Sequence, residues 1–153
     1  MKDIEQVGQR AEALFMQGYN CAESVLAAVA ESLGVTCDCI PAMATGMGGG
    51  VGHTGHACGA ASGGAMAIGL ASVRKKLPDH NAEKRWANEL GTEMVAAFRR
   101  KFDAVNCRDL IGIDFAESTW AEKYQQKKCK QSCAGFVHFA ADWTARRLAA
   151  ENV

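Results

Sequence analysis

The chain has 153 residues, 48% of them hydrophobic and 22% charged, so it can bury a real core within one domain. Its 17 basic and 17 acidic side chains balance, which excludes an electrostatic grip on nucleic acid or on a membrane surface. No apolar run approaches the roughly 20 residues of a membrane span. The start, Met1-Lys2-Asp3-Ile4, has no apolar signal segment behind a basic end, so a cytoplasmic location is expected.

With only two prolines and little strand-like alternation, helical periodicity dominates. Asp3 is placed to cap a first helix carrying Ile4, Val7, Ala11, Leu14 and Phe15 at helical spacing, with Gly18 to end it. Asn20 is placed to cap a second, with Val25, Leu26 and Val29 on one face and Gly34 as its stop. A long glycine-rich loop follows, with a short helical turn expected after Pro41. A third helix is expected from near Cys58 to about Lys75; its Gly59, Gly63, Gly64 and alanines make a surface that admits another backbone closely. Pro78-Asp79 opens the longest helix, from about 80 to 104, striped by Trp86, Leu90, Met94, Val95, Phe98 and Phe102. "NCRDLIGIDF" reads as a break with one short helix, then a helix starts at Ser118, and a last one runs from about Ser132 to Ala150. The expectation is all-α: one domain over residues 1–153, a bundle of about five main helices with a long glycine-rich loop. Trp86, Trp120 and Trp143 are expected to pack within the helical core.

Seven cysteines are many for a reducing compartment, and the odd count argues against a closed disulfide framework. Their placement is informative. Asn20-Cys21-Ala22-Glu23 and Asn106-Cys107-Arg108-Asp109 each read as a capping asparagine, a cysteine at the first helical position, and an acid completing a capping box. Cys58 ends the glycine-rich loop at a helix start, and Cys133 follows Ser132, a potential cap. Four cysteines therefore fall at helix N-termini, where unpaired N–H groups and the helix dipole stabilise a thiolate and lower its pKa. The glycines before Cys58 let N–H groups turn inward towards an anion or a cluster sulfide. His56 is positioned to tune Cys58 as a neighbouring imidazolium. Cys37 and Cys39 have no such placement.

Competing motifs are weak. Gly50-x-Gly52-x-x-Gly55 has dinucleotide spacing, yet no strand precedes it. His53, His56 and Cys58 could ligate zinc, but no C-x-x-C pair exists. Cys-His nucleophilic catalysis lacks an orienting third group.

The blocks "GYNCAESVL", "ATGMGGGVGHTGHACGAASGGAMAIGL", "NCRDLIGID" and "SCAGFV" resemble the C_GCAxxG_C_C family of redox-active proteins over residues 15 to 145. Its CGAxxG hallmark is Cys58-Gly59-Ala60-Ala61-Ser62-Gly63, and its other cysteines match Cys21, Cys107 and Cys133, with Cys129 an alternative to the last. His53 stands where an arginine is common. The resemblance implies redox chemistry centred on these cysteines. A related domain in multihaem cytochromes favours electron transfer, although no C-x-x-C-H is present for covalent haem.

Three functions follow. In the first, Cys21, Cys58, Cys107 and Cys133 ligate an iron–sulfur cluster, most simply with two irons, and backbone around Gly49, Gly50 and Gly59 bonds its sulfurs. In the second, Cys58 is the reactive thiolate of a thiol–disulfide oxidoreductase or redox sensor, with Cys21 or Cys107 resolving. In the third, the chain is a non-enzymatic metal-binding or partner module. The first two require a redox partner protein.

Overall fold

The computed structural model describes all residues, 1–153, and contains no strand. Seven α-helices form, two of them short, where the sequence reading counts about five main ones. Helix α1 (Val7–Met16) follows a single 3-10 turn, Ile4–Gln6. Asp3 does not cap it by a side-chain hydrogen bond, because its own backbone is left-handed at φ 49°. Val7, Ala11, Leu14 and Phe15 form the buried face of α1, as their spacing predicts.

Helix α2 (Cys21–Leu33) carries the expected capping box. Asn20 Oδ1 accepts from Ala22 N–H at 2.9 Å and Glu23 N–H at 3.0 Å, while the Glu23 carboxylate accepts from Asn20 N–H at 2.8 Å. Gly34 ends it in the left-handed region. Alanines, Val25, Leu26 and Val29 leave α2 buried on nearly every side, so it is the central helix. The loop beyond it makes a 3-10 helix at Ala42–Met47, then turns to residue 57.

Helix α3 (Gly59–Ser72) stops before Lys75, and residues 73–76 continue as turns. It packs most extensively against α2. A Cβ on Gly63 would lie 2.6 Å from Ala22 O, so glycine is what lets the two backbones approach. Helix α4 (His80–Phe102) is capped by Asp79, which accepts from Ala82 N–H at 2.8 Å. Arg99, Arg100 and Lys101 oppose the negative end of its dipole. Of its apolar stripe, Leu90, Met94 and Phe98 are fully buried.

Helices α5 (Cys107–Ile111) and α6 (Trp120–Gln126) are short, and α6 buries no residue. Helix α7 (Cys129–Ala150) begins a turn earlier than Ser132, packing across α1, α2 and α3. Phe102 and Phe136 join α4 to α7 with ring centroids 4.7 Å apart. A connected cluster of 33 buried residues runs through the molecule. No helix is long and apolar enough to cross a membrane.

Candidate functional site

The N-terminal ends of α2, α3 and α5 and the first turns of α7 meet at one end of the bundle. Between them lies a cavity of about 380 Å³. Cys21, Cys58, Cys107 and Cys133 all line it, each brought by a different helix. Cys129 does not; it is buried beside it, with its thiol 3.9 Å from Ile111 O.

Each cysteine is positioned by local chemistry. Cys21 is the first residue of the capped α2, while Cys58 is itself the N-cap of α3. The first three N–H groups of α3, on Gly59, Ala60 and Ala61, have no backbone acceptor. Cys107 opens α5, but without the expected capping box: Asn106 turns its side-chain amide to Asp109 at 3.2 Å. The glycine loop caps α5 instead, because Cys107 N–H donates to His56 O at 2.7 Å and Arg108 N–H to Gly55 O at 3.0 Å. That docking is tight. A Cβ on Gly50, which has φ +71°, would lie 2.8 Å from Cys107 Cβ and 2.6 Å from His56 N. Cys133 lies a full turn inside α7, not at its start, because the helix begins at Cys129.

The expected depression of the thiol pKa values at helix starts is absent at three of these positions. Burial pushes Cys58, 3% exposed, up to about 11, although the Ala60 and Ala61 N–H groups act in the opposite direction. Neither makes a capping hydrogen bond of ordinary geometry to the sulfur. Burial, then the nearby Cys58 and Cys133, push Cys107 up to about 12. Its own first N–H groups are already committed to the loop carbonyls. Cys133 alone is lowered, because its neighbours Cys21, first, and then Tyr124 favour the thiolate against the opposing effect of burial. Cys21 is correspondingly raised well above its ordinary value. Cys21 and Cys133 thus influence each other's titration within a four-cysteine wall.

The rest of the wall is aromatic. Phe15, Phe115, Trp120, Tyr124 and Phe136 line the cavity. Trp120 is thus not simply core packing. Trp120 and Tyr124 are four apart on α6, a spacing that marks a shared face and could have singled them out. His53, rather than His56, is the histidine of the site: its ring lies 5.0 Å from Phe115 and 5.5 Å from Trp120. His56 is exposed, pairs with the Thr54 hydroxyl at 2.7 Å, and plays no part in the Cys58 shift. Segment 115–125 therefore covers the cavity with aromatic side chains, while its helix buries nothing of its own.

Of the three glycines expected to bind a cofactor, Gly49 and Gly59 line the cavity and Gly50 packs behind Cys107. The N–H groups of Gly49 and Gly50 donate to no backbone acceptor. No three His, Cys, Asp or Glu side chains are arranged to hold a single metal ion. Cys37 and Cys39 lie elsewhere, joined by a disulfide on the exposed loop after α2.

No match to this chain was found among curated proteins or among solved structures. A family model described as "Putative redox-active protein (C_GCAxxG_C_C)" matches residues 19–147, spanning the four cysteines and the glycine loop. The chain belongs to this C_GCAxxG_C_C redox-active family.

Proposed function

We propose that the protein is an electron carrier whose four cavity cysteines hold an iron–sulfur centre. The observation that carries this reading is the cavity itself: four soft sulfur donors from four helices surround about 380 Å³ of space. A single water needs roughly 10–15 Å³ by the same kind of measure, so the space suits a group of several atoms. Four sulfur donors lining one space of this size suit a polynuclear centre. Thiolate donors suit iron–sulfur centres, whose potentials depend on N–H bonds to sulfur and on burial.

Cys21, Cys58, Cys107 and Cys133 would be the ligands, and such a centre would supply one-electron exchange. The unpaired N–H groups of Gly49, Gly50, Gly59, Ala60 and Ala61 are the donors available for charge on sulfur around Cys58 and Cys107. Phe115, Trp120 and Tyr124 give the cavity an apolar wall, and low polarity strengthens such bonds. Tyr124 lines the cavity together with Cys133 and favours its thiolate. The expected partner is a redox protein, met in the cytoplasm.

The test is iron and sulfide content with an absorption spectrum, on protein purified without oxygen, beside Cys58→Ser. Iron with matching sulfide and a visible band, lost in the variant, is the expected result. Colourless, iron-free protein after reconstitution with iron and sulfide would refute the reading.

A second reading rests on Cys21 and Cys133 lining the same cavity and influencing each other's titration. These two thiols could close a disulfide, making the protein a dithiol oxidoreductase with Cys133 as the more acidic thiol. Mild oxidation would then yield a peptide pair cross-linked through Cys21 and Cys133, with no iron present.

A further inference from the structure

We infer that the Cys37–Cys39 bridge is a second redox site, a surface dithiol–disulfide exchange centre separate from the cavity. Its two cysteines are two residues apart, with Cα atoms 5.2 Å apart. They do not line the cavity, and the four-cysteine chemistry makes no use of them. Cys37 instead borders an outer cleft with Ala27, Ala30, Val35 and Ile40. Ala27 and Ala30 lie about two turns along α2 from Cys21.

The bridge is badly placed to be a structural staple. It joins residues only two apart, and so short a loop gains little stability from loop-closure entropy. It joins neighbouring residues of one loop and so ties no helix to another. Cys37, Asp38 and Cys39 are all exposed, and exposed disulfides are the labile, regulatory or catalytic ones. In a reducing compartment a disulfide is transient and catalytic or redox-sensing. The two sulfurs are also not equivalent. Cys39 N–H donates to Cys37 Sγ at 3.3 Å, a bond that strengthens when that sulfur carries charge. Cys37 is therefore the better leaving sulfur, and Cys39 the sulfur that is attacked.

The exchange balances with a dithiol as reductant. One thiolate of the dithiol attacks Cys39 Sγ, forming a mixed disulfide as the Cys37–Cys39 bond breaks and Cys37 leaves as thiolate. The second thiolate of the dithiol attacks its own bridged sulfur and releases Cys39. The dithiol is oxidised to a disulfide, the bridge gains two electrons, and the two thiol protons end on Cys37 and Cys39.

The probes are dithiothreitol and glutathione, applied to the native full chain, with alkylation and mass spectrometry of the peptide carrying residues 37–39. The bridge is expected to open in reduced dithiothreitol and re-form in the oxidised reagent without unfolding. In Cys37→Ser, oxidised glutathione should leave one stable glutathione on Cys39, because the resolving sulfur is gone. A bridge that opens only after denaturation would overturn the inference. So would cysteines that stay reduced throughout, or a Cys37→Ser chain that takes no glutathione. Iron and sulfide content of the Cys37→Ser, Cys39→Ser double variant reads the cavity independently. It should equal that of the parent chain, and its loss would overturn the separation of the two sites.

Discussion

Gly63→Ala tests whether the packing of α3 on α2 is set by the backbone contact described above. The added methyl would sit 2.6 Å from Ala22 O and 3.0 Å from Ala22 Cα, both backbone atoms that cannot swing aside. Overpacking of this kind costs about 1–3 kcal/mol. Alanine returns about 0.5–1 kcal/mol through its better helix propensity, so the net is a loss of about 1–2 kcal/mol. For a chain of this size that lowers Tm by about 3–6 °C. Gly69→Ala is the internal control. It lies in the same helix with nothing within 4 Å of its would-be Cβ, so only the propensity gain remains and Tm rises by about 2 °C. Thermal unfolding followed by far-UV circular dichroism on the two variants reads both signs. Equal shifts, or a Gly63→Ala chain as stable as the parent, would refute the close-approach argument. Because Ala22 adjoins Cys21, Gly63→Ala should also lower iron uptake, and Gly69→Ala should not.

Asn20→Ala removes the acceptor for two N–H groups of α2 and should cost about 1–2 kcal/mol in urea unfolding. Thr144→Val replaces the one buried side-chain oxygen without a partner by a methyl group of similar size. It should stabilise the chain by about 1 kcal/mol, visible as a higher urea midpoint. Without metal, stability should fall in alkali. Unfolded thiols titrate near 8.5, whereas burial holds Cys58 to about 11 and Cys107 to about 12. Below about pH 8.5 both states keep these protons and the contribution is constant. Above it the unfolded chain loses protons that the native chain retains, so stability drops by about 1.4 kcal/mol per pH unit for each thiol, up to its folded pKa. Urea midpoints that stay flat from about pH 8 to pH 10.5 would contradict this.

Much of the architecture was legible because the signals were local. The Asn20–Glu23 box, Gly34 and Asp79 act within a turn of themselves, and the structure places the helix ends there as expected. The same local pattern at Asn106–Asp109 failed because a distant segment, the glycine loop, supplies carbonyls to the α5 amides. Cys133 was legible as a site residue for the wrong reason: α7 starts a turn earlier, so what brings the sulfur in is its helix face and not a cap. The pKa expectation failed because helix-terminus effects are readable from spacing while burial is not, and burial dominates at Cys58 and Cys107. Tyr124 was missed, and His53 was singled out without its place against Phe115 and Trp120, because both depend on how segment 115–125 folds over the cavity, which no short motif encodes.

That covering segment sets a hierarchy of lifetimes. Helix α6 has no fully buried residue and is held down by half-buried Trp120 and Tyr124, so lifting it forfeits those two contacts but none of the buried core that holds α2, α3 and α7 together. Its free energy of opening must therefore lie well below that of global unfolding. Amides of residues 120–126 should accordingly exchange with solvent hydrogen far sooner than those of α2, and anything seated in the cavity should slow the first set before the second.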